Sequence, residues 1–438
     1  SKAIHIIVNA PIQIGGGSDV TTTFGRADTS TVFTKTYGTS PYTWSISPTV
    51  SGITIDQNGY VHVSDSSTVG TWTEIVKVQD SIGSFDTKSI TVIINAAILV
   101  SDGGNIITTQ GILETSTAFS KTNGTGALTF GLTDTITGIT IDQNGVVTAA
   151  STLTSIDSVT SRTLYDTVTA TDTLGVKGYK AFTVKVNPPV LIANGSNVVT
   201  TYGITQFSAA FTSDTRTGTG TKVWTISGNH SGVSISSGGI VTVDSTTAVG
   251  TYYETVTATD QVGAFATKAI TIQVNPAVQI GAGNNIVTTF GRADSATGFT
   301  ADSGTATNKV GSNGTRAYIY SIARNGGAQP AGITIDSTTG VVSVTSNTAA
   351  GVYLETVTVT DSMTATSSVA MTITVNSAIT VSGAVNVYTT YQIARTMGTD
   401  TATGGTYTRV DGTTRAYQFS ITRTNGTQPS GITINAAT

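Results

Sequence analysis

The feature that most constrains this chain is an internal repeat of about 90 residues, present in four full copies and two partial ones. Four motifs keep the same order in each full copy. The first is an apolar-alternating run that ends in Val-Asn or Ile-Asn, and successive copies lie 86, 92, 88 and 101 residues apart. A period of this length is too long for a solenoid unit and indicates whole domains in series. The run-ending asparagines are Asn9, Asn95, Asn187, Asn275 and Asn376.

The other three motifs lie between these asparagines. A Thr-Thr pair followed by Phe, Tyr or Gln and then Gly begins at Thr22, Thr108, Thr200 and Thr288, and a fifth copy at Thr389 lacks the Gly. A Gly-Ile-Thr-Ile-Asp motif begins at Gly52, Gly138 and Gly332, and altered forms begin at Gly232 and Gly431. The last motif is an aspartate that ends a Val-rich strand, at Asp80, Asp172, Asp260 and Asp361.

These motifs predict the domain boundaries that number the repeats below. Residues 1–9 copy the run that ends at Asn275, so we predict that they are the last strand of a preceding repeat. The predicted Ig-like repeats are 10–95 (repeat 1), 96–187 (repeat 2), 188–275 (repeat 3), 276–376 (repeat 4, with a longer front loop) and 377–438 (repeat 5, truncated).

Composition and patterning predict an all-β fold. Charged residues make up 11% of the chain, against about 25% in ordinary soluble proteins. Abundant β-branched residues suit a pleated surface. Apolar and polar residues alternate in short runs such as Ile90–Ile94, which indicates two sheets packed face to face. One aromatic recurs on an early-middle strand and is interpreted as a core anchor, at Trp44, Phe130, Trp224, Tyr320 and Phe419.

The back half of each repeat resembles the Ig-like and cadherin-like tandem repeats of bacterial and archaeal surface proteins, which include adhesins, S-layer and filament proteins. In repeat 4 the matching segments are 332–344, 351–353, 356–361 and 371–376. The resemblance covers essentially the whole chain and implies a tandem array of Ig-like/cadherin-like β-sandwich domains. Repeat 4 departs from the pattern because no Gly follows Asp361, whereas the other full repeats keep one.

Some members of that family bind calcium between domains, which makes the strand-ending aspartates candidate ligands. These are Asp80, Asp172, Asp260 and Asp361. Calcium prefers six to eight oxygen ligands, yet each linker here offers one neutral asparagine amide and no carboxylate. The alternative is that each aspartate caps the turn that follows it. No other cofactor is expected.

A second acid recurs six residues before each strand-ending aspartate, at Glu74, Asp166, Glu254 and Glu355. Its position in the alternation predicts a side chain that faces the core, where a carboxylate needs a partner or the open end of the sandwich. Lys88, Lys180 and Lys268 also recur, but repeat 4 has Val369 at that position, which argues against a fixed ion pair.

Nothing in the pattern predicts an enzyme. The three histidines, His5, His62 and His230, do not recur, and the chain has no cysteine. We therefore predict no catalytic residue and no cofactor-binding residue. A net charge of −4 argues against nucleic acid, which requires clustered Lys and Arg. The sequence has no run of 18 apolar residues that could span a membrane.

The sequence therefore favours an extracellular, cell-surface structural protein that forms or decorates a filament, sheath or S-layer through self-association of identical chains. A spacer stalk of a giant surface adhesin is the first alternative. A carbohydrate-binding array that recognises surface glycans is the second, and Tyr318 and Tyr417 in the longer front loops of repeats 4 and 5 are its candidate residues.

Overall fold

A computed structural model describes residues 2–302, 318–382, 401–403, 419–421, 423, 427, 429–430 and 432–434. Every regular element among these residues is a β-strand, which confirms the all-β class. The strands of repeat 1 are β1 (Gln13–Gly16), β2 (Val20–Thr23), β3 (Asp28–Thr29), β4 (Phe33–Thr36), β5 (Thr43–Ser47), β6 (Ile53–Ile55), β7 (Val61–Val63), β8 (Gly70–Gln79) and β9 (Phe85–Asn95).

Repeats 2 and 3 each contain nine strands in the same order along the chain as repeat 1. Those of repeat 2 are β10 (Leu99–Asp102), β11 (Ile106–Thr109), β12 (Glu114–Thr115), β13 (Phe119–Thr122), β14 (Thr129–Leu132), β15 (Ile139–Ile141), β16 (Val147–Ala149), β17 (Arg162–Thr171) and β18 (Lys177–Asn187). Those of repeat 3 are β19 (Ala193–Asn194), β20 (Val198–Thr201), β21 (Gln206–Phe207), β22 (Phe211–Thr212), β23 (Val223–Ile226), β24 (Val233–Ile235), β25 (Val241–Val243), β26 (Gly250–Thr259) and β27 (Phe265–Asn275).

The described strands end with those of repeat 4 and two short strands after it. They are β28 (Gln279–Ile280), β29 (Ile286–Thr289), β30 (Asp294–Ser295), β31 (Ala301–Asp302), β32 (Ile319–Arg324), β33 (Ile333–Ile335), β34 (Val342–Val344), β35 (Gly351–Thr360), β36 (Thr366–Asn376), β37 (Thr380–Ser382) and β38 (Thr401–Thr403).

Repeats 1, 2 and 4 share one topology of three small sheets. In repeat 1 the strand orders are β2-β9-β8-β5, β3-β7-β6 and β1-β4. Strand β2 lies parallel to β9, whereas β9, β8 and β5 are antiparallel neighbours. Repeat 3 likewise has β20 parallel to β27 and the antiparallel order β21-β25-β24. In every full repeat the parallel pair therefore brings an early strand beside the last one.

The core of each repeat follows the predicted alternation. Ile90, Val92 and Ile94 on β9 are at most 2% exposed, and their polar neighbours lie on the opposite face of the strand, as a period of two requires. The predicted core anchors Trp44, Phe130 and Tyr320 are buried, and Trp224 packs partly buried against its own cluster. Phe419 is half-buried.

The described chain divides into two compact units. The first comprises residues 1–193, 212–225 and 257–268, and the second comprises 194–211, 226–256 and 269–438. Residues 2–9 form no strand, and their isoleucine and valine side chains are more than four-fifths exposed. The assignment of this segment to a preceding repeat and the repeat boundaries stay predictions.

Two further predictions concern the front loops of repeats 4 and 5. Tyr318 is half-buried and packs against the core of repeat 4. Tyr417, the corresponding residue of repeat 5, lies outside the described residues, as does the fifth Thr-Thr motif. None of the described segments forms a helix of the length and apolarity needed to cross a membrane.

Candidate functional site: the joints between repeats

The Thr-Thr motif and the run-ending asparagine meet at one end of each full repeat. In each full repeat, the early strand that carries the Thr-Thr motif lies parallel to the last strand, which ends in the asparagine. The second threonine of the motif stands in register with that asparagine, so both lie at the same end of the repeat. The register pairs are Thr23 with Asn95, Thr109 with Asn187, Thr201 with Asn275 and Thr289 with Asn376. Two motifs about 75 residues apart in sequence therefore form a single polar end.

The first threonine of each pair closes the turn of its own repeat. Its buried hydroxyl donates a hydrogen bond to the backbone carbonyl four residues later, as from Thr108 Oγ1 to the Ile112 oxygen at 3.0 Å. The glycine of the motif lies in this turn with a positive φ, as at Gly111 (93°), which favours glycine over any residue with a side chain. The same bond is donated by Thr22, Thr200 and Thr288.

The second threonine reaches into the next repeat. Within the first unit, Thr23 Oγ1 donates to Asp172 Oδ2 at 2.6 Å and Thr109 Oγ1 donates to Asp260 Oδ2 at 2.5 Å. Within the second unit, Thr201 Oγ1 donates to Asp361 Oδ2 at 2.5 Å. Each of these aspartates is the strand-ending residue of the following repeat, so one hydroxyl–carboxylate bond recurs at three successive joints.

Two more side chains complete the joint between repeats 2 and 3. Thr219 Oγ1 lies 2.8 Å from Thr109 Oγ1 and accepts a hydrogen bond from Asn187 Nδ2 at 3.0 Å. The Thr219 backbone N–H donates to Asp260 Oδ2 at 2.7 Å. We call these four residues, Thr and Asn of one repeat with Asp and Thr of the next, the joint cluster. All four are buried, and hydrogen bonds to a charged acceptor are stronger than neutral ones.

The joint between repeats 1 and 2 has the same joint cluster. Asn95 Nδ2 donates to Thr125 Oγ1 at 2.9 Å, and Thr125 Oγ1 lies 2.7 Å from Thr23 Oγ1. The Thr125 N–H donates to Asp172 Oδ2 at 3.0 Å. At the start of the chain, Asn9 Nδ2 donates to Thr39 Oγ1 at 2.9 Å in the same manner.

The other oxygen of each joint aspartate binds its own turn. Oδ1 of Asp260 accepts hydrogen bonds from the Val262 and Ala264 N–H groups at 3.0 and 2.9 Å. The corresponding bonds are present at Asp80, Asp172 and Asp361. The turn-capping role expected from the sequence is therefore present, and the joint uses the oxygen that capping leaves free.

Hydrogen bonding controls the charge of the joint carboxylate. Burial of Asp172 disfavours its charged form by desolvation, but bonds from the Thr23 hydroxyl and from backbone N–H groups outweigh this and hold its pKa below the ordinary value. A carboxyl whose pKa is lower in the folded state stabilises the fold above its unfolded pKa of about 3.9. This contribution is lost as the pH falls through the folded pKa, so the joint weakens only in strong acid.

Sequence reasoning missed the threonine that repeats 1, 2 and 3 each contribute to the joint before them. Thr39, Thr125 and Thr219 each follow a glycine with positive φ, namely Gly38, Gly124 and Gly218. At Gly124 an added Cβ would lie 2.8 Å from Ile98 Cγ1, so a side chain there would displace the core. The recurring Gly-Thr dipeptide is the signal that could have identified this position.

The candidate calcium ligands Asp80, Asp172, Asp260 and Asp361 are not brought together. Among the described residues, no three His, Cys, Asp or Glu side chains form a group that could hold a metal ion. The lone pairs of Asp172 and Asp260 accept hydrogen bonds from N–H and O–H donors in the bonds given above. Calcium binding at these aspartates stays a prediction, and calcium is one variable of the experiment proposed below.

The second recurring acid faces the core, as its place in the alternation predicts. Glu74 and Glu355 are fully buried, Glu254 is 2% exposed and Asp166 is 5% exposed. Desolvation raises the pKa of Glu74, and it also raises that of Glu355 against the opposing effects of Gln329 and Arg324. Among the described residues these acids form no ion pair with the recurring lysines Lys88, Lys180 and Lys268.

The fold and the joints define the class of protein: a tandem array of Ig-like β-sandwich domains. Residues 283–376 match the family model described as "Putative Ig domain". No curated protein matches the chain.

Solved structures of tandem domains are similar to the chain only distantly. A three-domain Ig fragment of titin, I67–I69, is 14% identical with a TM-score of 0.33, covering 60% of this chain and 99% of the fragment. Cadherin domains 3–6 of protocadherin gamma B2 are 13% identical with a TM-score of 0.26, covering 83% and 99%. The human desmocollin-1 ectodomain is 12% identical with a TM-score of 0.27, covering 78% and 76%.

The joint cluster predicts a specific cost for removing one hydroxyl. Thr109→Val keeps the shape of the side chain but leaves the Asp260 carboxylate without its donor from repeat 2. We expect the free energy of unfolding of repeat 3 to fall by about 1.5–3 kcal/mol, the range for hydrogen bonds to charged groups. Urea unfolding followed by Trp224 fluorescence, with Trp44 and Trp72 replaced by Phe, reports repeat 3 alone, because the chain has three tryptophans.

The matched control is Thr108→Val, on the same strand and equally buried, whose hydroxyl binds a backbone carbonyl of its own repeat. In a double-mutant cycle with Asp260→Asn, Thr109→Val should show a coupling energy of about 1 kcal/mol or more, and Thr108→Val should be additive. Equal coupling for both threonines would contradict the assignment of the joint to the second threonine.

Proposed function

We propose that this chain is an extracellular structural repeat protein whose domains form or decorate a cell-surface filament, sheath or S-layer. The observation that supports the proposal is the recurrence of one hydroxyl–carboxylate bond at three successive joints. A protein that needs its domains only as independent binding modules gains nothing from identical buried bonds between them. A structural protein does, because each bond restricts the motion of one domain against the next.

Self-association of identical chains is the second part of the proposal. The outer face of the long strand that carries the buried acid bears an exposed apolar residue in three of the four full repeats. Tyr165, Tyr253 and Leu354 are 71%, 81% and 54% exposed. Large apolar side chains at equivalent, periodic positions favour lateral packing between like chains, and a net charge of −4 over 438 residues opposes such packing only weakly.

The proposed role is not enzymatic and does not involve nucleic acid. The residues that recur, including the joint aspartates and the buried acids, belong to the framework of every full repeat. Framework residues that recur in every domain serve structure, whereas catalysis requires a distinct constellation of groups in one place. The spacer stalk of an adhesin remains the alternative, because the same joints would also stiffen a stalk.

Electron microscopy of the purified 438-residue chain over a concentration series tests the proposal. We expect ordered filaments or sheets at high concentration, with the same appearance in millimolar calcium and in EDTA. The double variant Tyr165→Thr/Tyr253→Thr should raise the concentration needed for assembly at least tenfold. Tyr37→Thr, which changes a tyrosine that is 60% exposed but lies in a turn, should leave it unchanged. Separate particles at every concentration would contradict assembly and support the stalk.

A further inference from the structure

Asn-Gly dipeptides recur along the chain and carry a chemistry of their own. The sequence contains seven of them, of which five lie among the described residues. Because glycine has no side chain to hinder close approach, its backbone nitrogen can attack the side-chain amide of the preceding asparagine. The hydrogen bonding of that glycine N–H therefore controls whether the reaction is open to the folded protein. The five asparagines are Asn58, Asn123, Asn144, Asn194 and Asn325.

In four of these five dipeptides the glycine N–H donates a hydrogen bond to a backbone carbonyl. An N–H held in this way is fixed in direction, and its bond must break before the nitrogen can attack a carbonyl carbon. The fold therefore protects these four asparagines. The bonds run from Gly59 to Asp56, from Gly124 to Ala96, from Gly145 to Asp142 and from Gly195 to Ala210, at distances of 3.1 to 3.2 Å.

The fifth dipeptide, Asn325-Gly326, lacks this protection. It follows β32 directly, in an exposed bend over residues 325–327. Among the described residues, none accepts a hydrogen bond from the Gly326 N–H. The surroundings are open, since a Cβ added at Gly326 or Gly327 would meet no heavy atom within 4 Å. The nucleophile of this dipeptide is therefore free in the folded protein.

The side chain of Asn325 is held by the carbonyl oxygen that the reaction uses. Thr356 Oγ1 on β35 donates a hydrogen bond to Asn325 Oδ1 at 2.8 Å. Attack on Asn325 Cγ places negative charge on Oδ1, and a donor already directed at that atom stabilises the charge as it develops. Asn325 is exposed, so the amide nitrogen can leave into solvent as ammonia. Nucleophile, carbonyl and leaving group are thus all prepared at one asparagine.

We propose that Asn325 is a site of spontaneous deamidation in the folded protein. The Gly326 nitrogen bonds to Asn325 Cγ, the Cγ–Nδ2 bond breaks, and the amide leaves as ammonia with the proton of the Gly326 N–H. The product is a succinimide ring, which water from the solvent opens. Addition of water at Cγ gives aspartate, and addition at the backbone carbonyl carbon gives isoaspartate, whose main chain runs through Cβ and Cγ.

Both products add a negative charge at the end of β32. The charge lies next to Arg324, which is the register partner of the buried Glu355 on β35. Isoaspartate also lengthens the main chain by one carbon at the residue whose N–H donates to the Leu354 oxygen at 2.9 Å. The modification therefore marks repeat 4 with the age of the protein. This proposal does not depend on assembly of the chain.

The test is incubation of the whole folded chain at mildly alkaline pH, followed by chymotryptic digestion and tandem mass spectrometry. Cleavage after Tyr320 and Tyr353 releases a peptide in which Asn325-Gly326 is the one Asn-Gly pair. Deamidation replaces NH₂ by OH, and the mass change locates it. We expect Asn325 to react at least tenfold faster than Asn58 and Asn144 in the folded chain. In the urea-unfolded chain, where no N–H is protected, the rates should agree within threefold.

Two outcomes would overturn the proposal: equal rates for these asparagines in the folded chain, or a tenfold difference that persists in urea. Thr356→Val, which removes the donor to Oδ1, should slow the reaction at Asn325 about threefold or more and leave the rate at Asn144 unchanged. Thr358→Val is the matched control, because Thr358 lies two residues further along β35 and its hydroxyl lies 2.8 Å from Ser368 Oγ. Equal rates in both folded variants would contradict the role of the Thr356 hydroxyl.

Discussion

Asp260→Ala will lower the free energy of unfolding of repeat 3 by about 3–5 kcal/mol, among the largest effects expected of a single substitution. The carboxylate accepts four hydrogen bonds, from the Val262, Ala264 and Thr219 N–H groups and from the Thr109 hydroxyl. Its removal leaves buried donors unsatisfied, and each such donor costs about 1–3 kcal/mol before the structure relaxes. Urea unfolding followed by Trp224 fluorescence, in the background with Trp44 and Trp72 replaced, measures the loss.

Two further variants test whether the loss in Asp260→Ala comes from the joint and the turn that this carboxylate binds. Asp244→Ala removes an exposed turn carboxylate of the same repeat, which binds only neighbouring residues, and should cost about 1 kcal/mol or less. Asp260→Asn keeps an acceptor for the turn but presents an amide N–H₂ to Thr109. Its cost in unfolding free energy should therefore fall between that of Asp260→Ala and that of Asp244→Ala. A loss for Asp260→Ala no larger than that for Asp244→Ala would contradict the importance of the joint carboxylate.

Glu74→Gln will stabilise repeat 1 at neutral pH by about 1–3 kcal/mol, because it removes a buried charge that has no partner. Glu74 is fully buried, and neither of its carboxylate oxygens has a hydrogen-bond partner among the described residues. Desolvation raises the pKa of this carboxyl. A raised pKa in the folded state means that the charge opposes folding above that pKa, and that the penalty is absent below the unfolded pKa of about 4.3.

The pH dependence provides the decisive measurement. With Trp224 replaced by Phe, fluorescence of Trp44 and Trp72 reports urea unfolding of repeat 1, and the advantage of Glu74→Gln should shrink as the pH is lowered from 7 toward about 4. Asp65→Asn, an exposed acid of the same repeat, should change stability by less than about 0.5 kcal/mol. An advantage of the same size at every pH would show that Glu74 is uncharged throughout this range.

The sequence was sufficient to predict the fold class, because alternation and turn residues act locally. The inward-facing acids could be predicted for the same reason: parity along a strand determines the face that a side chain occupies. The burial of Glu74 and Glu254 follows from the same alternation that buries Val76 and Val256. The neighbours of these acids could not be predicted from parity. His230, which lies beside Glu254, and Arg324, the register partner of Glu355, belong to other segments, and the approach of those segments depends on the paths of the loops.

The joint cluster could be recognised only in part. The sequence shows that Thr109 and Asp260 recur, but the two residues are 151 positions apart, and their contact depends on how consecutive domains dock. The calcium role placed each aspartate between domains but sought further carboxylates there, and the capping role treated it as part of a single turn. One carboxylate has lone pairs for about four hydrogen bonds, and capping of the turn uses only half of them. The carboxylate oxygen that capping leaves free therefore indicated that each aspartate has a further hydrogen-bond donor outside its own turn.

The joint cluster is made from two unlike halves, and repeats 1, 2 and 3 each carry the residues of both. Thr and Asn at one end of a repeat face Asp and Thr at the other end of its successor, so the contact is head-to-tail and does not close on itself. Any repeat of this design can follow any other, because the ends are interchangeable. Unequal recombination between copies of the coding sequence can therefore lengthen or shorten the chain without creating a mismatched joint, and array length becomes a trait that varies while the fold is conserved.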